Sequence, residues 1–445
     1  MKRNFYILLL LFSLLFNIIV YLCSDLITEY CDVYYIFCIV VYITLILLGT
    51  YQQKGITMLL IFQAPFGLFI LGRFIAHYLD GALNLETIDF FYATRLNTEE
   101  VINYLSINMF FFIMVFVGYA IPSIKMPGQH YDLRLNETVV RYFSRIVVIV
   151  TITGIALTLK DLYNAVSQYG YSALYIIKKE NANDSSSMFV TLLLVAIGIV
   201  AKENSRSELK ILMTVLFFYS FALLLMGARG PMMTYILLWL WLYKKDIKIF
   251  KFGLLALLIL SLVQFISSLM RTSDAQYNIF AKALYDIGTT FIVLPFSYYI
   301  TDWPNIALLQ NFVPLVSRVS SLFLEIKPYE ANLANYLGYY LNQDLYWKGV
   351  GLGWSVVADF SIYSNRNVVL LCIFAFFLGC ILKNLDNSGK NKGVKYGLST
   401  SLILPLGFLY RSGLFSIVPL VIYFFVTFFM LYLISNMLRR INLAN

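Results

Sequence analysis

Apolar runs of about 20 residues recur along the whole chain, and they constrain the fold more than any other feature of the sequence. A helix of that length crosses the roughly 30 Å hydrocarbon core of a bilayer. Hydrophobic residues fill 60% of the 445 positions and charged residues 13%, so polar groups are too few to cover a water-soluble globule. The sequence therefore predicts an all-α, polytopic integral membrane protein whose single helix bundle comprises residues 1–445.

The hydropathy pattern predicts about twelve transmembrane helices. One long connection, residues 271–365, separates the ninth from the tenth and is predicted to form a large external loop. Proline-containing turn signals divide this loop into pieces too short to span, so we expect short helices that fold against the membrane surface. The predicted spans are residues 5–22, 35–51, 56–74, 104–122, 146–163, 188–201, 211–226, 231–243, 252–270, 366–382, 397–410 and 412–437.

The distribution of basic residues predicts the orientation of the bundle. With a cytoplasmic N-terminus, the basic clusters at 244–251 and 383–395 and the pair Arg439-Arg440 all fall in cytoplasmic segments, as the positive-inside rule requires. The net charge of +9 then reflects topology and not nucleic-acid binding. We expect a multi-pass protein of the cytoplasmic (inner) membrane with both termini in the cytoplasm.

Three arginines, Arg229, Arg271 and Arg411, are predicted to lie in separate external turns at the edges of apolar runs, where a cation is costly. A guanidinium forms bidentate, charge-assisted hydrogen bonds to phosphate oxygens, so several together suit a diphosphate. Two alternatives remain open. The arginines could snorkel to the phosphates of ordinary lipids, or they could form salt bridges with acidic residues of the long loop, namely Asp274, Asp286 or Asp302.

A glycine-punctuated segment, residues 349–360, carries one carboxylate, Asp359, in apolar surroundings. Burial would raise the pKa of this carboxyl and neighbouring arginines would lower it, so Asp359 is the candidate general base. The glycine spacing is not a dinucleotide fingerprint, because no strand precedes it. The alternative is that Asp359 pairs with Arg366 and stabilises the start of a helix. The only two histidines, His77 and His130, are predicted on opposite sides of the membrane, which argues against a metal site.

The order of these motifs resembles the Wzy family of polysaccharide repeat-unit polymerases, which build O-antigens and capsules. The resemblance covers about residues 200–425, arranged around the large external loop, and members often carry glutamate where this chain has Asp359. The stretches that carry it are Gly227-Ala228-Arg229-Gly230, Asn332-Leu333-Ala334-Asn335-Tyr336, Gly351-Leu352-Gly353-Trp354-Ser355 and Tyr410-Arg411-Ser412-Gly413.

The resemblance implies that a growing glycan is transferred from undecaprenyl diphosphate to the non-reducing end of a new lipid-linked repeat unit. Arg229 and Arg411 would stabilise the leaving diphosphate, and Asp359 would accept the proton of the attacking hydroxyl. No cofactor and no metal are implied. The expected partners are undecaprenyl-diphosphate-linked oligosaccharides, membrane lipid, a chain-length regulator and the flippase of the same pathway. The expected substrate-binding residues are Arg271, Arg318, Asn332, Asn335, Tyr336 and Trp354.

Other classes of membrane protein fit the sequence less well. A flippase for the lipid-linked repeat unit would line a central cavity with charges, whereas these arginines are predicted in external turns. O-antigen ligases resemble one another in using a histidine of the external loop, and residues 271–366 contain none. A purely structural scaffold would leave the repeated external arginines unexplained.

Overall fold

The computed structural model of this protein describes residues 2–53, 56–86, 95–121, 133–169, 185–226, 228, 230–243, 278–386 and 393–444. Throughout these ranges the regular elements are helices and no strand is present, so the predicted all-α class is confirmed. Ten described helices have 13 residues or more: α1 (Lys2–Leu22), α2 (Cys31–Gln53), α3 (Thr98–Ala120), α4 (Glu137–Tyr169), α5 (Ser185–Lys202), α6 (Arg206–Leu225), α7 (Gly230–Leu242), α8 (Val368–Asp386), α9 (Val394–Gly407) and α10 (Val418–Ala444).

Shorter helices connect the long ones and build most of the segment between residues 278 and 367. Three of them, Met58–Gln63, Phe66–Phe69 and Gly72–Leu79, lie between α2 and α3. The others are Ser24–Ile27, Ile279–Ile287, Val293–Ser297, Asn305–Gln310, Val316–Ser320, Leu333–Leu341, Gln343–Trp347, Val356–Tyr363 and Leu409–Ser412, with 3₁₀ turns at Thr28–Tyr30, Gly288–Ile292, Pro328–Glu330 and Leu414–Ser416.

Several described helices are long and apolar enough to cross a membrane, so the chain is a multi-pass membrane protein. Met58–Phe69 and Gly72–Leu79 are apolar together and meet at an angle of 44°, as in a broken span or a re-entrant loop. The predicted total of twelve stays a prediction, and the predicted ninth span lies outside the described residues. The six clear spans are Ser24–Tyr51, Thr98–Ala120, Glu137–Asn164, Arg206–Leu225, Val368–Asp386 and Leu414–Ile441, and shorter apolar helices are Tyr6–Leu22, Met188–Lys202 and Gly230–Leu242.

Glycines allow two pairs of helices to pack with their backbones in contact. A side chain at Gly118 of α3 would collide with the carbonyl oxygen of Phe376 in α8, and one at Gly379 would collide with the carbonyl oxygen of Val115. In the same way, a side chain at Gly198 of α5 would collide with the backbone of α9. Small residues at such contacts are the usual device of membrane helix pairs, because van der Waals packing drives their association.

The contacts sort the helix ends into two groups at opposite ends of the bundle. At one end, Lys202 Nζ donates to the carbonyl of Leu133 at 2.6 Å, and Arg439 donates to the carbonyl of Arg134 at 2.9 Å. At the other end, the helix Ile279–Ile287 packs against the helix Gly72–Leu79, and Leu414, just before α10, donates to Asp359. The alternation of the twelve predicted spans stays a prediction. Which group faces the cytoplasm stays a prediction.

Candidate functional site

The carboxylate of Asp359 joins three segments of the described chain. It lies in the helix Val356–Tyr363 with 0% of its surface exposed. Its Oδ1 accepts hydrogen bonds from Asn311 Nδ2 at 2.9 Å and Trp354 Nε1 at 2.7 Å, and its Oδ2 accepts one from the backbone N–H of Leu414 at 2.6 Å. All three partner groups are N–H donors, so they match an ionised carboxylate, which can only accept hydrogen bonds.

Burial and hydrogen bonding act on this carboxyl in opposite directions. The pKa of Asp359 is raised to about 7 as the net result. Burial is the main cause, because a low dielectric disfavours the charged form. The hydrogen bonds from Leu414, Trp354 and Asn311 lower the pKa, because they stabilise the ionised form. Asp359 therefore changes its charge near neutral pH, where a small change in its surroundings alters its protonation.

Both ends of the Asp359 helix are fixed by local hydrogen bonds. Ser355 caps the N-terminus by accepting from the N–H of Val357 at 3.3 Å, and this cap places Asp359 in the first turn, where the helix dipole favours a negative charge. At the other end, Arg366 has a left-handed φ of 62° and its N–H donates to the carbonyl of Ser361 at 2.7 Å. The helix therefore stops before α8 begins.

Arg366 does not serve as the ion-pair partner of Asp359. Its guanidinium donates to the carbonyl of Ile300 at 2.6 Å and lies 5.1 Å from the centre of the Tyr298 ring. The alternative that Asp359 pairs with Arg366 is therefore wrong. The helix between the two residues directs their side chains to different neighbours. Of the loop carboxylates considered as partners, Asp286 forms an ion pair with Lys282 at 3.3 Å.

The turn that carries Arg411 is clamped on both sides. Tyr410 is buried, donates to Gln63 Oε1 at 2.7 Å, and stacks on Phe62 with ring centres 4.8 Å apart. Gly413 has a φ of 97°, and a Cβ at this position would lie 2.5 Å from both Asp359 Oδ2 and Trp354 Cδ1. Only glycine accommodates that backbone at that approach. The turn therefore rests directly on the Asp359 carboxylate.

Between these clamps, the backbone and side chain of Arg411 have different surroundings. Its carbonyl accepts from the N–H of Trp354 at 3.4 Å. Its side chain is exposed, and Cζ lies 5.8 Å from the centre of the Phe69 ring. An exposed arginine on a fixed backbone is suited to bind an anion, because its planar guanidinium offers paired N–H donors to phosphate oxygens.

Arg229 and Arg271 lie outside the described residues. The neighbour of Arg229, Gly230, begins α7, and a Cβ at Gly230 would lie 3.5 Å from the ring of Phe408. Phe408 packs on Phe69 with ring centres 5.5 Å apart, and Phe69 is the ring that Arg411 approaches. The start of α7 and the Arg411 turn thus contact the same aromatic pair.

A row of aromatic rings connects the Asp359 cluster to the helix Leu333–Leu341. Trp303 lies 5.6 Å from the ring of Trp354 and 5.7 Å from the ring of Tyr336. Asn332 caps this helix, since its Oδ1 accepts from the N–H of Asn335 at 2.8 Å. The structure therefore brings Tyr336 and Trp354 into one row through Trp303, and it uses the side-chain oxygen of Asn332 to start the helix.

Arg318 is placed elsewhere, beside the N-terminal ends of α5 and α10. Its Nη1 donates to Met188 Sδ at 3.7 Å, and its charge acts on Tyr423. Within the described ranges, no group of three or more His, Cys, Asp or Glu side chains could hold a metal ion.

The sequence reasoning missed three buried polar side chains, two of which belong to the site. Asn311 donates to Asp359 and to the hydroxyl of Tyr363, each at 2.9 Å. Gln63 accepts from Tyr410, as described above. Arg73 donates to the carbonyl of Asn84 at 3.3 Å, and its Cζ lies 4.0 Å from the centre of the Tyr285 ring. Of the three, only the charge of Arg73 within an apolar stretch is a signal that the sequence offers.

Comparison with known proteins identifies the family of this chain. A profile of the family described as O-antigen polysaccharide polymerase Wzy matches residues 4–441. No curated protein and no solved structure matches the chain. The profile match covers the long helices, the segment that holds Asp359 and the turn that holds Arg411. The chain therefore belongs to the O-antigen polysaccharide polymerase Wzy family, whose members are glycosyltransferase-like enzymes of polysaccharide biosynthesis.

Proposed function

We propose that the protein transfers a growing glycan from undecaprenyl diphosphate to the non-reducing end of a new lipid-linked repeat unit, at the outer face of the cytoplasmic membrane. The observation that carries this proposal is the clamped turn with the exposed guanidinium of Arg411. Negative charge develops on the leaving diphosphate as the glycosidic bond breaks, and a pre-positioned guanidinium stabilises that charge. Arg229 and Arg271 are proposed to act with Arg411 on the same diphosphate.

Asp359 is proposed to hold the Arg411 turn in place. A general base must come within roughly 2.6–3.2 Å of the proton that it removes. Here the carboxylate has no exposed surface, and its oxygens already accept from Asn311, Trp354 and Leu414. The role of Asp359 as the base stays a prediction. It requires that one of these hydrogen bonds break, so that the hydroxyl of the acceptor sugar can bond to the carboxylate instead.

The aromatic row offers flat apolar faces for sugar rings. Trp303 and Tyr336 are half-buried and lie at the outer end of the row, whereas Trp354 is buried and positions the carboxylate. We propose that Tyr336 and the amide of Asn335 contact the acceptor glycan. A chain-length regulator and the flippase of the same pathway are the proposed protein partners.

The first experiment is to resolve the surface polysaccharide by gel in the native host after deletion of the chromosomal copy. Plasmids supply wild type, Arg411→Ala, Arg411→Lys or the control Lys348→Ala, an exposed cation away from the Arg411 turn. We expect Arg411→Ala to reduce polymer beyond one repeat unit by about 10²–10³-fold, because a charge-stabilising donor is lost. Arg411→Lys should restore part of it, since lysine keeps the charge but lacks the bidentate geometry.

The band pattern separates the candidate functions. A ladder that collapses to single repeat units supports the polymerase. A ladder of normal length from correctly inserted Arg411→Ala protein would remove Arg411 from the site. Complete loss of exported repeat units on deletion would indicate a flippase, and long polymer that is not attached to its acceptor would indicate a ligase.

A further inference from the structure

A cluster of exposed apolar side chains lies a few residues beyond Asn311, on a part of the protein that none of the spans includes. Leu322, Phe323 and Leu324 follow the short helix Val316–Ser320 and have 77%, 81% and 60% of their surfaces exposed. Val319 in the helix is exposed as well. Consecutive large apolar side chains exposed to water are unusual in a folded protein and mark a binding surface.

The charge of this segment is as distinctive as its hydrophobicity. Between Asp302 and Glu325 the chain contains one charged residue, Arg318, and no acidic residue. Segments that lie in the plane of a membrane combine apolar side chains with basic ones, because acyl chains cover the former and lipid phosphates attract the latter. The composition of residues 303–324 follows that rule.

The contacts of Arg318 place the segment level with the apolar turns of two membrane helices. Arg318 donates to Met188, the first apolar residue of α5 after three serines. Its charge also acts on Tyr423, which lies five residues, or about 8 Å, along α10 from its first residue. The helix Val316–Ser320 therefore lies near the N-terminal ends of these two helices, where their apolar parts begin.

Local hydrogen bonds order the backbone of the segment. Ser317 N–H donates to Gln310 Oε1 at 3.0 Å, and within the segment Leu324 N–H donates to the carbonyl of Ser320 at 2.8 Å. Just before the segment, the ring of Phe312 packs on Tyr363 with centres 5.0 Å apart. The exposed apolar turn therefore has a defined backbone and follows a stretch that packs on the Asp359 helix.

We propose that residues 316–324 insert into the outer leaflet of the membrane as an in-plane anchor. Acyl chains cover Leu322, Phe323 and Leu324, while Arg318 lies in the interfacial region. A lipid surface is favoured over a protein partner because α10, on whose Tyr423 the charge of Arg318 acts, exposes apolar side chains such as Val426, and because the only charge of residues 303–324 is basic. This anchor does not depend on the reaction proposed above.

Quenching of a fluorophore by lipid bromine atoms tests the anchor. In the full-length chain with its five native cysteines replaced, Phe323→Cys is labelled with bimane and reconstituted into vesicles of phosphatidylcholine or brominated phosphatidylcholine. Val426→Cys, at a position in α10 that is 58% exposed, is the lipid-facing control, and Lys348→Cys is the water-facing control. We expect quenching at position 323 to be at least half of that at position 426, with little at position 348.

Quenching at position 323 no greater than at position 348 would overturn the proposal. That outcome would also follow if a protein partner, absent from these vesicles, were the natural cover of the surface. If the bimane label at position 323 prevents reconstitution, Leu322→Cys in the same turn is labelled instead. Its quenching is compared with that at positions 426 and 348 in the same way.

Discussion

At the scale of single residues, Gly413 bears most directly on the geometry of the site. We predict that Gly413→Ala abolishes the polymer ladder, because alanine at a φ of 97° is strained and its Cβ would lie 2.5 Å from Asp359 Oδ2 and Trp354 Cδ1. The backbone strain alone costs about 1–2 kcal/mol.

The measurements for Gly413→Ala are the gel pattern and the melting temperature of the purified protein. Gly81→Ala is the control, since a Cβ there meets nothing within 4 Å. A Gly413→Ala protein with a normal ladder would contradict the clamped turn.

Asp359 should make the stability of the protein depend on pH. Its pKa is raised to about 7 in the folded protein, against about 3.9 in an unfolded chain. Between these values the folded state holds a proton that the unfolded state has released. The free energy of unfolding should therefore fall by on the order of 4 kcal/mol as pH rises from about 4 to about 7, and then level off. Melting temperatures of wild type and Asp359→Asn, measured across this pH range, test the prediction. The melting temperature of wild type should fall as pH rises, and that of the variant should lack this dependence.

Polymerisation should respond to pH in the opposite sense. Only the ionised carboxylate matches the donors Asn311, Trp354 and Leu414, so we expect activity to rise as pH increases through about 7. If Asp359 positions the Arg411 turn, the effect should fall mainly on KM for the lipid-linked donor. If it is the base, the effect should fall on kcat. Kinetics with purified enzyme and a lipid-linked repeat unit distinguish these two roles.

Some residues of the site are visible in the sequence and others are not. Asp359 and Arg411 stand out because a single charge within an apolar or glycine-rich stretch is a local feature. Asn311 and Gln63 do not, because their partners Asp359 and Tyr410 are 48 and 347 residues away along the chain. Hydropathy and spacing contain no information on which distant polar groups will meet.

At the scale of helices, we predict that the glycine contact between α3 and α8 is sensitive to side-chain size. Gly379→Leu should destabilise the protein by about 1–3 kcal/mol or more, because the new side chain would have to displace the backbone near Val115. The melting temperature in detergent measures this effect. Gly49→Leu in α2 is the matched control, since its Cβ makes an ordinary contact of 3.4 Å with Phe116. Equal effects of the two substitutions would contradict the close packing of α3 and α8.

Hydropathy predicts where an apolar helix lies along the chain better than it predicts where such a helix is broken. Residues 56–74 read as one continuous span, yet the structure bends this stretch and divides it into three short helices. Pro65 contributes to the break, because proline lacks an N–H and cannot continue the hydrogen bonds of the preceding turn. Hydropathy averages over such a break, since the flanking residues stay apolar. The break matters because it places Phe69 beside Arg411.

At the scale of the whole molecule, we predict that the segment from 278 to 367 faces the outside of the cell. Lys348→Cys should react with a membrane-impermeant maleimide in intact cells, whereas Arg206→Cys, at the opposite end of the bundle, should react only after permeabilisation. Both positions are exposed, so access from the two sides is the variable that differs. The native cysteines are replaced in both variants. The reverse pattern would invert the topology and move the proposed site to the cytoplasm.

The class and family of the molecule could be predicted from the sequence, because composition and motif order are properties of the chain alone. The three-dimensional route from the Arg411 turn through Asp359 to Asn311 could not. That route depends on which helix ends lie side by side, and hydropathy assigns each helix to the membrane without assigning its neighbours.

The distance along the chain between Tyr410 and Gln63 also sets the moment at which this enzyme can begin to work. A ribosome delivers Gln63 and Asp359 to the membrane well before Tyr410 and Leu414. Until those last residues arrive, Asp359 lacks its backbone donor and the turn with the guanidinium does not exist. A chain that is released before residue 414 should therefore lack the proposed polymerase activity, even though most of its helices are already in the bilayer. The proposed site thus becomes complete only after residue 414 has been synthesised.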